Sequence, residues 1–174
     1  NTTGGNNTAV GCAALCSNTT QSNNTAIGFN ALFNSNASNN TAVGRDSLKN
    51  NTSGTSNVGM GKCGLCANTT GTENTALGIQ AMHYGAYALK SNTDGQANTA
   101  FGYSALCSNI GADNNVAVGY RALCANTTAS SNTAVGTCSL NATTTGCQNT
   151  AVGMASLDTN TTGDNNVGVG YQAL

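Results

Sequence analysis

Residues 114–119 read Asn-Asn-Val-Ala-Val-Gly, a stretch with no charge, ring or nucleophile. Variants recur as NNTAVG at 6–11, NNTAIG at 23–28, NNTAVG at 39–44 and NNVGVG at 165–170. The closing glycines are Gly11, Gly28, Gly44, Gly61, Gly78, Gly102, Gly119, Gly136, Gly153 and Gly170, at steps of 17, 16, 17, 17, 24, 17, 17, 17 and 17. A fixed short period is the signature of a solenoid. The unit N-T-A-V-G-x-x-A-L-x-x-N-T-T-G-x-x fills all 174 residues with ten copies, so residues 1–174 read as one array.

Aligning the copies by their glycine exposes columns. Four residues before it stands Asn in every copy: Asn7, Asn24, Asn40, Asn57, Asn74, Asn98, Asn115, Asn132, Asn149 and Asn166. One residue before it is apolar, as in Val10, Ile27, Met60, Phe101 and Val118, and four after it is Leu or Met, as in Leu15, Leu32, Leu106 and Leu123. Two before and three after, the residue is Ala, Gly or Ser. Two large and two small residues are too few to bury alone, so each coil must stack on its neighbours. At a strand spacing of ~4.8 Å, ten coils make a rod of roughly 50 Å in which like residues form ladders. An Asn ladder can pair amides from coil to coil and satisfy backbone groups at a bend.

The expected fold is therefore mainly β: a parallel β-solenoid of ten 17-residue coils. T-A-V-G is the strand candidate, alternating small with large and β-branched residues. The N-T-T-G arc reads as a turn. The x-x-A-L arc is less defined. Between Gly78 and Gly102 it gains seven residues, giving an expanded coil over 79–95. Seven residues are about two helical turns, which would keep Met82 and Leu89 on one face; an odd insertion in a strand would reverse the face. This favours a short helical turn per coil and a longer helix at 79–91 over a plain surface loop. Both chain ends lack the polar cap that solenoids need, which suggests a segment of a longer array.

Composition narrows the function. Only 6% of residues are charged and 5% aromatic, while 39% are hydrophobic and regularly placed, which separates the chain from disordered sequences. A net charge of −1 gives no electrostatic grip on nucleic acid. No apolar run approaches the ~20 residues of a membrane span. The acids Asp46, Glu73, Asp94, Asp113, Asp158 and Asp164 fall singly in different registers, and His83 has no nucleophile in register. The expectation is no enzyme, no cofactor and no metal.

Eight cysteines, Cys12, Cys16, Cys63, Cys66, Cys107, Cys124, Cys138 and Cys147, fit an oxidised, extracellular chain. Cys107 and Cys124 hold the same place in adjacent coils, within the reach of a disulfide. Cys12 with Cys16, Cys63 with Cys66, and Cys138 with Cys147 would close within one coil. Eight cysteines allow 105 connectivities, so these pairs are a geometric choice. Cys63-Gly-Leu-Cys66 is formally C-x-x-C, but without the second ligand pair that zinc needs.

N-x-S/T sequons occur at Asn1, Asn6, Asn18, Asn23, Asn36, Asn39, Asn50, Asn51, Asn68, Asn126, Asn141 and Asn160. Asn1, Asn18, Asn51, Asn68, Asn126 and Asn160 share the turn arc, where exposure would suit N-glycans in a stripe along the rod. Asn36 and Asn141 are further candidates. Asn6, Asn23 and Asn39 adjoin the Asn column and are expected to be hindered. A repeat rich in Asn and Thr also generates sequons by chance.

Residues 114–119 closely resemble the N-S-V-A-I-G repeat of trimeric autotransporter adhesin heads, and the fuller N-T-A-x-G-x-x-A-L unit is similar to repeats of phage and viral tail-fibre-like proteins. The adhesin heads are left-handed parallel β-rolls that trimerise and bind host surfaces or matrix. The resemblance implies close approach of neighbouring chains at small residues such as Ala9, Ala26, Ala42 and Ala117. The unit departs from the adhesin repeat in its length and in having Thr at the first apolar position in seven copies; Val58, Val116 and Val167 keep it.

The leading expectation is a rigid extracellular fibre or filament, self-associating, with N-glycans as a possible covalent coat. A second is an adhesin or receptor-binding fibre, homotrimeric or on a particle surface, that meets a cell-surface or glycan ligand through the expanded coil, where His83, Tyr84 and Tyr87 form the least repetitive stretch. A third is ice binding by Thr columns such as Thr8, Thr25, Thr41 and Thr75.

Overall fold

A computed structural model describes residues 2–78 and 88–174. Its architecture is one ten-stranded parallel sheet, with one three-residue strand per coil and the strands in chain order. They are β1 (Thr8–Val10), β2 (Thr25–Ile27), β3 (Thr41–Val43), β4 (Val58–Met60), β5 (Thr75–Leu77), β6 (Thr99–Phe101), β7 (Val116–Val118), β8 (Thr133–Val135), β9 (Thr150–Val152) and β10 (Val167–Val169). Each pairs residue for residue with its neighbour: Thr8 lies beside Thr25, Ala117 beside Ala134, and Val135 beside Val152. The chain is a β-solenoid, as the period predicts.

Strand geometry points successive side chains to opposite faces. The middle residue of each strand turns inward, and Ala26, Ala42, Ala76, Ala100, Ala117, Ala134 and Ala151 are fully buried. Only a small residue fits there. A Cβ on Gly59 would lie 2.7 Å from the Ser47 hydroxyl and 3.2 Å from the Leu48 Cγ. The opposite wall of the core is the leucine column, of which Leu32, Leu48, Leu65, Leu89, Leu106, Leu123 and Leu140 are fully buried. Ala26, Ala42 and Ala117 thus pack inside their own coils, not against a neighbouring chain; the outward residues of the strands are Thr or Val at the first position and a larger apolar residue at the third.

The x-x-A-L arc is not a helical turn, and the described residues contain no helix. Alternate residues of the arc are left-handed, as in Arg121 at φ 55° and Leu123 at φ 50°, or Asp46 at 58° and Leu48 at 49°. Left-handed backbone costs a non-glycine residue about 1–2 kcal/mol. The arc gains hydrogen bonds between coils in exchange. Leu123 N–H donates to Ser139 at 3.0 Å, and Arg121 N–H to Tyr103 at 2.9 Å. A helix would direct these groups into itself. The helix expected at 79–91 falls largely outside the described residues, and 88–90 form a turn.

The closing glycines Gly11, Gly28, Gly44, Gly102, Gly119, Gly136 and Gly153 stack so tightly that no side chain fits. Gly119 has φ +136°, and a Cβ there would lie 2.5 Å from the Gly136 carbonyl oxygen.

Candidate functional surface

Two polar ladders line the coil interior. In the column before the strands, each Asn backbone N–H donates to the Oδ1 of the Asn one coil earlier, from Asn24 on Asn7 at 3.0 Å to Asn166 on Asn149 at 2.9 Å. From Asn7 to Asn149 each Nδ2 reaches a carbonyl of the following coil, as in Asn57 to Gly71 at 2.8 Å and Asn115 to Ala129 at 2.9 Å. The amide thus satisfies backbone groups that stacking would otherwise bury unpaired.

The second ladder lies in the arc assigned to exposed glycan sites, and here the expectation is corrected. Asn51, Asn68 and Asn126 are fully buried, Asn18 nearly so, and Asn160 is part-buried. Their Nδ2 atoms, which a glycan would have to occupy, donate to turn carbonyls: Asn18 to Gln21, Asn51 to Gly54, Asn126 to Ala129 and Asn160 to Gly163. The physical reason is the turn's need for an internal donor, which outweighs the preference of Asn for water. Asn1 lies outside the described residues. Asn141 is part-buried, with its Oδ1 lacking a hydrogen-bond partner, whereas Asn36 is exposed. Asn6, Asn23 and Asn39 are also exposed, not hindered by burial, and form an outer ladder in which Asn6 donates to Asn23 and Asn23 to Asn39, each at 3.2 Å.

The outward strand face presents two columns. The first runs through Thr8, Thr25, Thr41, Val58, Thr75, Thr99, Val116, Thr133, Thr150 and Val167, and the second through Val10, Ile27, Val43, Met60, Leu77, Phe101, Val118, Val135, Val152 and Val169. Ile27, Val135 and Val152 in mid-array are 40, 37 and 39% exposed. All five basic and six acidic residues of the chain lie elsewhere. Around the adjoining corner, Tyr103 stacks on Tyr120 with centroids 5.4 Å apart, and the Arg45 guanidinium sits 5.9 Å over the Phe29 ring.

The cysteines stand as thiols. Two pairs meet through a side-chain hydrogen bond, Cys63 with Cys66 and Cys107 with Cys124. The bond from Cys66 holds Cys63 down at about 7, and the bond from Cys107, helped by the Arg121 guanidinium, holds Cys124 down at about 6. Burial opposes both shifts. The donors Cys66 and Cys107 are pushed up because each keeps the proton it shares. Cys147 turns its thiol to the Thr145 carbonyl, and Cys12 and Cys16 are exposed.

The acids remain apart. Asp46 pairs with Arg45 at 3.1 Å and Lys49 at 3.7 Å, while Asp113 and Asp164 accept from the backbone of Gln96 and Cys147. The described residues enclose no pocket and group no three potential metal ligands. No helix among them is long and apolar enough to cross a membrane. His83, Tyr84 and Tyr87 lie outside the described residues. No family model matches the chain, and no curated protein or solved structure matches it.

Proposed function

We propose that this chain is a non-enzymatic structural rod of an extracellular fibre, and that its outward strand face docks on the same face of other copies. The observation that carries this reading is the uncharged, partly exposed double column of Thr and Val, aligned rung by rung. An object meeting every rung must repeat at ~4.8 Å. A second copy of the rod has that period by construction, and burying the Val column removes apolar area from water at about 25 cal/mol per Å². Placement outside the cell is supported by the eight cysteines and the exposed sequon at Asn36. A sugar stripe on the turn arc is not part of the proposal, because those amides close the turns.

Sedimentation and electron microscopy of the full chain test it. Concentration-dependent assemblies are expected, and V135K with V152K should dissolve them without lowering the melting temperature. A wild-type chain that stays monomeric at every concentration overturns the reading.

One observation favours a second reading, ice binding. The pairing sets Thr8, Thr25 and Thr41, then Thr75 and Thr99, then Thr133 and Thr150, in line on one parallel sheet. Thermal hysteresis lost on Thr133→Lys would support it, and absence of hysteresis removes it. The adhesin reading rests on the 79–95 expansion and the repeat resemblance.

A further inference from the structure

The residue after the core leucine runs up one edge of the rod as Cys66, Lys90, Cys107 and Cys124 in four consecutive coils. Around Cys107 and Cys124 the chain forms a parallel ladder: Leu106 N–H donates to Ala122 at 3.0 Å and Ser108 N–H to Cys124 at 3.2 Å. Ladder neighbours sit at a spacing of ~4.8 Å, inside the Cα range of about 4.4–6.8 Å that a disulfide accepts. The two thiols lie close enough to shift one another's ionisation, and both are half-buried.

We propose that Cys107 and Cys124 form a redox staple that clamps two adjacent coils directly after the expanded one, closed by thiol–disulfide exchange with a small-molecule disulfide. Cys124 is the attacking sulfur. Its thiolate is favoured by the Cys107 hydrogen bond and by Arg121, and the thiolate is the nucleophile of exchange. It attacks one sulfur of the small disulfide, forming a mixed disulfide and expelling one thiolate. Cys107 then gives up its proton to that thiolate and attacks the Cys124 sulfur. The Cys107–Cys124 bond forms as the second small thiolate leaves and takes a proton from solvent. Two electrons pass from the protein pair to the small disulfide, which departs as two thiols.

The Lys90 charge, next in the column, favours the Cys107 thiolate against the larger effects of Cys124 and burial, while Tyr120 and Cys138 lie around Arg121. Cys12 and Cys16, although more exposed, occupy one coil with no matching cysteine in the next.

The test treats the full chain with oxidised glutathione, quenches with acid, alkylates and maps peptides by mass. The expected product is a peptide pair joined through Cys107 and Cys124, two hydrogens lighter than the thiols. Its rate should rise about tenfold from pH 5 to pH 7 as a thiol near 6 ionises. C107S should trap glutathione on Cys124, and C124S should slow modification of Cys107 at least tenfold. Both variants are read by circular dichroism to confirm the intact solenoid. A wild-type glutathione adduct that persists on Cys124, or cross-links distributed over other cysteines at equal rates, overturns the proposal.

Discussion

The Asn68 Nδ2 donates to the Asn51 Oδ1 at 2.9 Å and to the Gly71 carbonyl at 3.0 Å. One amide therefore joins two coils and closes its own turn. The Gly71 carbonyl also accepts from Asn57 at 2.8 Å, so both interior ladders converge on it. The coil is held by a polar interior as much as by its leucines.

Asn115→Asp is expected to destabilise the rod by about 2–3 kcal/mol or more. The carboxylate still accepts from Asn132 N–H at 2.9 Å, but its other oxygen faces the Ala129 carbonyl and the Asn98 Oδ1 without a proton to give. Urea unfolding checks the loss. The cost should shrink at acid pH, where the carboxyl regains a proton.

Ser35→Asn should stabilise by about 0.5–1.5 kcal/mol. Ser35 stands where the second ladder wants Asn, and both its Oγ and the Asn18 Oδ1 are buried without a partner. Elsewhere this distance is spanned, as from Asn109 to Asn92 at 2.8 Å. A higher melting temperature is the expected outcome, and an unchanged or lower one argues that the ladder is not what sets stability there.

Gly119→Ala should cost more than about 3 kcal/mol. The positive φ of +136° and the Gly136 carbonyl 2.5 Å from the new methyl act together, and the obstacle is backbone that cannot swing away. Gly5, whose Cβ would meet nothing within 4 Å, serves as the control and should tolerate alanine.

Cys63 should alkylate with a midpoint near pH 7, since the Cys66 hydrogen bond lowers its thiol from about 9. Lowering an acid's pKa means its anion is the form that folding favours. Reactivity therefore appears as pH rises through 7, and it should move upward in C66A, where that bond is gone. Iodoacetamide labelling followed by peptide mapping reads both midpoints.

The period, the parallel stacking and the first Asn ladder were legible because stacking forces like residues into columns, and a column is visible in one chain. The burial of the turn arc was hidden by turn chemistry, for N-T-T-G signals exposure in most folds. A clue was present: Asn92 and Asn109 keep the column although Asp94 and Gly111 abolish their sequons, so the amide is retained for itself. The left-handed Leu column could not be read, because Leu has no preference for that backbone and only inter-coil bonds hold it there. The seven-residue expansion invited a helical interpretation through spacing alone, whereas the arc bonds sideways in its described neighbours. The Thr-x-Val face was legible as strands, but which residues face outward followed only once the buried alanines were placed.

Thr75 pairs with Thr99 and Leu77 with Phe101 across a 24-residue step, in the same register that other coils achieve with 17. Lengthening the loop from 17 to 24 residues adds only roughly 0.3 kcal/mol of closure entropy. The corner after Gly78 is thus a port at which sequence can be gained without disturbing the scaffold. Growth along the axis and elaboration at the corner become separate variables, so recombination between repeats can change a rod's length while a single coil acquires new cargo.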